Sequence, residues 1–153
     1  MKKIILLIGL ISILLISGCV TQPSDQEITF ENISKGSYSG HNERGDYVIK
    51  NSSELDNLWG KMQSRGTTTP ISAIIDLPDV NFNDEMVVAV FQGTQSTGGY
   101  AIEIIKIVEK ENSVEVFVKE TSPSPDSLVT QAFTQPHHIV KTKRVDKEVI
   151  FIR

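Results

Sequence analysis

The 153-residue chain has one cysteine, Cys19, and three histidines, His41, His137 and His138. A single thiol excludes an intramolecular disulfide, so the folded part must be held together by core packing. The same scarcity limits metal binding, which draws on clusters of Cys, His and acidic side chains. The adjacent pair His137 and His138 does not repair the shortage, because neighbours on a strand point to opposite faces. No serine occupies a Gly-x-Ser-x-Gly elbow, the pattern that exposes a nucleophile on a strand-to-helix turn. The acid pairs Asp76 with Asp79 and Asp84 with Glu85 lie in loop-like, partly proline-flanked text and read as solvated charges rather than an acid and a base. No catalytic residue, metal or cofactor is therefore expected, and the chain is read as not an enzyme.

Positive charge is short as well. Lys and Arg number 15 against 19 acids, a net charge of −4. The first eighteen residues carry Lys2 and Lys3 and no acid, so without them the balance is 13 to 19, or −6. A nucleic-acid footprint needs a basic face, which this balance argues against. With 39% hydrophobic and 22% charged residues, and no internal repeat or low-complexity tract, the composition is that of one globular domain.

What the chain does have begins at its N-terminus. "MKKIILLIGLISILLISGC" has a dibasic start, an apolar stretch over 4–16 and small residues before Cys19, the pattern of a secretory signal over 1–18. The apolar stretch is shorter than the roughly 20 residues a spanning helix needs. Its end, "ISGC", is similar to the lipobox of prokaryotic lipoproteins, which implies that Cys19 is lipidated and becomes the mature N-terminus. The alternative is an uncleaved anchor; both place the domain outside the cytoplasm, on the cell membrane. Acyl chains contribute about 0.8 kcal/mol per buried CH₂, so a multiply acylated Cys19 would be held there durably. Residues 19–26 are polar with Pro23 and read as a tether, and 27–153 as a single domain.

Inside that domain "EITFENI" and "DYVIK" are expected strands around a glycine-rich turn segment. "NSSELDNLWGKM" is the one expected helix, about 51–63. Leu55, Leu58, Trp59 and Met62 follow its apolar spacing, and Asn51 with Glu54 forms a capping-box variant. A loop with one short extended piece follows over 64–79. "EMVVAVFQG" is a continuous apolar run, as expected for a strand buried on both faces. "YAIEIIKIVEK" changes parity between Ile104 and Ile105, which places a β-bulge there, and with "VEVFVKE" it forms a hairpin. "HHIVKTKRV" and "EVIFIR" are further strands. The expected fold is mainly β (α+β): an antiparallel β-sandwich or open barrel of about six strands, with one amphipathic helix near its N-terminal side.

The segment "QGTQSTGGYAIEII" holds three of the ten glycines and no charge before Glu103. It lacks the Lys of a phosphate-binding loop and precedes a strand instead of a helix. Read as a hairpin tip, it is long, since the commonest hairpins turn in about two residues. Its Thr, Gln, Ser, Gly and Tyr content is that of a contact surface, because uncharged polar groups lose hydration more cheaply than ions. "SLVTQAFTQPHHIV" is free of formal charge too and carries Phe133. If the sheet brings the two stretches to one edge, they form a joint uncharged patch.

From Asp84 to Arg144 the text resembles the PrcB C-terminal-like family. A "vvav" strand runs into a glycine-containing loop with Thr97, Gly98, Gly99 and Tyr100; a hairpin follows, then a proline-bearing loop with Thr134 and Pro136 before an "hhivk" strand. The family is named for a lipoprotein subunit that associates with a surface protease and stabilises the complex. The resemblance implies a non-catalytic, lipid-anchored module whose partners are another protein, with a surface protease as one candidate, and the membrane through Cys19. The expected partner-binding residues are Thr94, Gln95, Ser96, Thr97, Gly98, Gly99 and Tyr100, with Phe133, Thr134, Pro136 and His137 as a second patch. A weaker similarity, of "STGGY" to the Thr-Thr-Gly-Tyr loop of chagasin-type cysteine-protease inhibitors, supports the alternative of an inhibitor using loop 94–100. The chain lacks that group's Arg-Pro-Trp element, its only tryptophan being Trp59 in the helix.

Overall fold

A computed structural model describes residues 25–63 and 77–153. The signal, Cys19, most of the tether and the 64–76 part of the connecting loop, Asp76 included, lie outside the described residues. Among the described residues eight strands and one helix follow in the order β1 (Gln26–Glu27), β2 (Phe30–Gly36), β3 (Arg44–Ile49), α1 (Ser52–Gln63), β4 (Glu85–Gln92), β5 (Ala101–Glu109), β6 (Ser113–Thr121), β7 (His137–Lys143) and β8 (Glu148–Ile152). They form two four-stranded sheets, β1-β5-β6-β8 and β2-β7-β4-β3. The fold is a sandwich and not a closed barrel.

Both expected patterns on the central strands hold, for physical reasons visible in the packing. Met86, Val88 and Val90 of β4 enter the core between the sheets, with Ile102, Ile104 and Ile107 of β5 and Val114, Val116 and Val118 of β6. Val87, Ala89 and Phe91 point the other way, beneath Leu55, Leu58, Trp59 and Met62 of α1. β4 is thus covered on both faces, which is why its sequence shows no alternation. Asn51 Oδ1 accepts the Glu54 backbone N–H at 2.9 Å, and Glu54 Oε2 accepts the Lys50 N–H at 3.0 Å, closing the helix start. The β5–β6 hairpin is present, and its register shifts between Ile104 and Lys106. The unpaired Ile105 is turned out, 53% exposed, while Ile104 and Ile107 stay buried.

Three expectations need correction. The stretch "EITFENI" is not one strand: Gln26 and Glu27 pair with β5 in the first sheet, and Phe30 onward pairs with β7 in the second. Ile28 is buried at the crossing, where a chain that changes sheets still looks alternating. The pairing is not wholly antiparallel, because β8 reaches the first sheet from β7 in the second and lies parallel to β6. Finally, 93–100 is no hairpin tip. β4 and β5 belong to different sheets, and spanning the roughly 10 Å between packed sheets needs more chain than a two-residue turn supplies.

Candidate functional site

Three uncharged segments converge at the end of the sandwich where β4 passes to β5. Gly93 starts the crossing at φ 77°, a left-handed backbone glycine adopts without strain. A Cβ there would stand 2.9 Å from the Arg44 backbone N. The Thr94 N–H donates to Asn42 O at 3.0 Å, and the Thr94 hydroxyl donates to Asn42 Oδ1 at 3.2 Å. Gln95 and Thr134 exchange two backbone hydrogen bonds, 2.8 and 3.0 Å, and the Gly98 N–H donates to Thr130 O at 2.9 Å. The Thr134 hydroxyl donates to Thr97 O at 2.9 Å. On its other side the second segment is tied to the β2–β3 connection: Gln135 N–H donates to Ser37 O at 2.7 Å, and Ser39 N–H to Gln135 O at 3.0 Å. The two stretches singled out in the sequence therefore do meet, and a third, 36–42, joins them.

Within this end the predicted residues divide by exposure. Thr94, Ser96 and Gly99 are exposed, and Gln95, Thr97, Gly98 and Tyr100 are half-buried. Phe133 is 70% exposed. Thr134, Pro136 and His137 are buried, so the second patch is corrected to Phe133 alone at the surface, with the other three as its support. Two surface residues escaped the sequence reading: Leu128, fully exposed, and Tyr38, 48% exposed. The only available signal was the lack of charge in 36–42 and 127–140, which does not say which side chains face out.

The support is aromatic and neutral. Phe91 lies between His41, stacked at 4.4 Å, and His137, stacked at 6.2 Å. His41 Nδ1–H donates to Glu43 O at 2.8 Å, which leaves Nε2 to accept the Tyr47 hydroxyl at 2.9 Å. Burial lowers the His41 pKa and raises that of Tyr47. His137 Nε2 is 2.7 Å from Ser34 Oγ. Burial, and then the charge of His138, lower its pKa to about 4. Beside His41 an open hollow of about 700 Å³ is lined by Gly40, Asn42, Glu43, Asn57, Gly60 and Lys61. Among the described residues no three His, Cys, Asp or Glu side chains are grouped to hold a metal ion. No described helix is long and apolar enough to cross a membrane.

Fold and site together define a β-sandwich module with a composite, uncharged loop surface at one end. Residues 86–143 match the family model described as PrcB C-terminal. Over that segment, which runs from β4 to the end of β7 and includes both predicted loops, the chain is similar to that family. No curated protein and no solved structure matches the chain.

Proposed function

We propose that this is a non-catalytic, lipid-anchored extracytoplasmic module that binds another protein through the uncharged end of its sandwich and stabilises a surface protease or another envelope complex. The observation that carries the reading is the position of this end relative to the chain's entry. Leu128, Phe133 and Tyr38 stand exposed on segments without a formal charge. β5 leaves the site at Ala101 and ends at Glu109, where Gln26 pairs. At about 3.3 Å per residue, the entry lies roughly 26 Å from the loops. A lipid on Cys19 would hold the far end to the membrane and turn the loops outward, toward a protein rather than toward lipid. Contact surfaces favour such aromatic and uncharged groups over Lys, Glu and Asp. Because loop 94–100 is fastened at Gln95, Thr97 and Gly98, it contributes to a broad face instead of projecting alone, and insertion into a protease cleft is not the favoured mode.

The test is a triple surface variant, Tyr38→Ser, Leu128→Ser and Phe133→Ser, made in the full chain. Exposed positions of this kind shift stability by only about 0.5 kcal/mol each. The variant should melt near the wild type yet lose the protein that crosslinks to wild type in its native envelope. Undiminished crosslinking by a folded variant would overturn the reading.

A further inference from the structure

We propose that His138 is an acid-sensitive latch: its neutral ring ties β5 and β2 to β7 next to the loop end, and its protonation releases the strands that carry the loops. His138 stands where two strand irregularities meet. The Ile104 N–H, at the β5 bulge, donates to His138 Nδ1 at 2.9 Å. His138 Nε2–H donates to Asn32 Oδ1 at 3.1 Å, and Asn32 borders the register shift of β2. A bulge leaves a backbone group out of the ladder, and here one such N–H, from the first sheet, is satisfied by a side chain of the second. That hydrogen bond fixes the tautomer: Nδ1 must be bare to accept it.

Protonation places a second donor at Nδ1, facing the Ile104 N–H. The bond is lost and a buried amide is left without a partner, the costly outcome for a desolvated polar group. The surroundings do not compensate. Lys35 of β2 opposes a charge on the ring, and Glu103 of β5 favours it, but these two are paired with each other at 2.5 Å. A charge on His138 in turn disfavours one on His137, its neighbour on β7. From β4, Val90 stands opposite His138 across the ladder, and Phe30 approaches the ring edge-on at 6.4 Å. With burial dominant, the closed ring is held neutral to about 4, while an opened one titrates at its ordinary 6.5. The consequence follows the chain: Ile104 lies four residues beyond Tyr100, and His138 four beyond Thr134, so the latch closes the strand ends nearest both loops.

Amide exchange of the full chain in detergent, corrected for intrinsic rates, tests this at pH 7 and pH 5. Proton linkage between 6.5 and about 4 raises the opening constant roughly 20-fold over that interval. Protection at amides of 94–104 and 134–138 that exchange by local opening should fall by that factor, and His138→Gln should remove that drop. Equal protection at both pH values, or a pH dependence that survives His138→Gln, overturns the latch. Should that variant not fold, ring nitrogen shifts of the wild type decide: a bare Nδ1 at pH 7 supports the latch and a protonated one refutes it. Control of a partner rests on the proposed binding role, whereas the opening itself does not. Exchange that responds to acid while crosslinking does not would refute the control and leave the latch standing.

Discussion

Gly98 and Gly99 are adjacent, share one loop and differ in what they tolerate, which makes them a sharp test of how the loop end is built. Gly99 has φ 87°, and a Cβ there would lie 2.9 Å from Pro123 Cβ and 3.2 Å from Val129 Cγ1. An L-residue held in the left-handed region costs about 1–2 kcal/mol. Carbon atoms prefer about 3.5–4.0 Å, and the proline ring cannot rotate away, so the 122–130 segment must shift, for a further 1–3 kcal/mol or so. Gly99→Ala should therefore lose about 2–5 kcal/mol. Gly98 has no positive φ, and its nearest neighbour would be Thr130 Cβ at 3.4 Å. Gly98→Ala also restricts the unfolded chain, worth about 0.4–1 kcal/mol in favour of folding, so it should come out near neutral. Urea unfolding monitored by Trp59 fluorescence, with the dependence on urea concentration unchanged, would measure both. Losses equal within about 0.5 kcal/mol would refute the packing of Gly99 against Pro123 and Val129.

Thr134→Val keeps the shape of a buried residue and removes the hydroxyl that donates to Thr97 O. It should cost about 1–3 kcal/mol in the same unfolding assay, in contrast to the near-neutral surface variant of Phe133. Stability should also fall in acid, and the sign follows from burial. His137 and His138 have folded pKa values lowered to about 4, so the unfolded chain binds more protons below 6.5. Their contribution is full above pH 6.5 and is lost as pH falls toward 4, at most about 3 kcal/mol for each ring. Glu103 and Glu109, drawn down by hydrogen bonds to Lys35 and to Lys143, act in the same direction at lower pH. Melting temperatures from pH 8 to 4 check this; a curve flat between 6.5 and 4.5 would mean that the histidines are not held neutral.

Much of the scaffold was legible because it follows from local periodicity. Residues two apart on a strand share a face, so the parity break at Ile105 announced the bulge, and the unbroken apolar run of β4 announced burial on both sides. The helix was legible from Leu55, Leu58, Trp59 and Met62 and from its Asn51 cap, features within a few residues of one another. The loop surface was legible only in part. Absence of charge pointed to 94–100 and 127–140, but Thr134, Pro136 and His137 turned out to support the surface, while Tyr38 and Leu128 belong to it.

The sequence by itself determined the strand and helix segments, the bulge and the uncharged character of the loops, since each depends on side-chain direction and chemistry over a few consecutive residues. Only the tertiary structure decided that β1 and β2 part into different sheets, that β8 runs parallel to β6, and that 93–100 crosses between sheets to meet 127–136. Alternation records that one face of a strand is buried without recording which partner buries it. The partner is chosen by backbone hydrogen bonds between positions as distant as Phe30 and Thr142, and no pattern within either segment encodes that pairing.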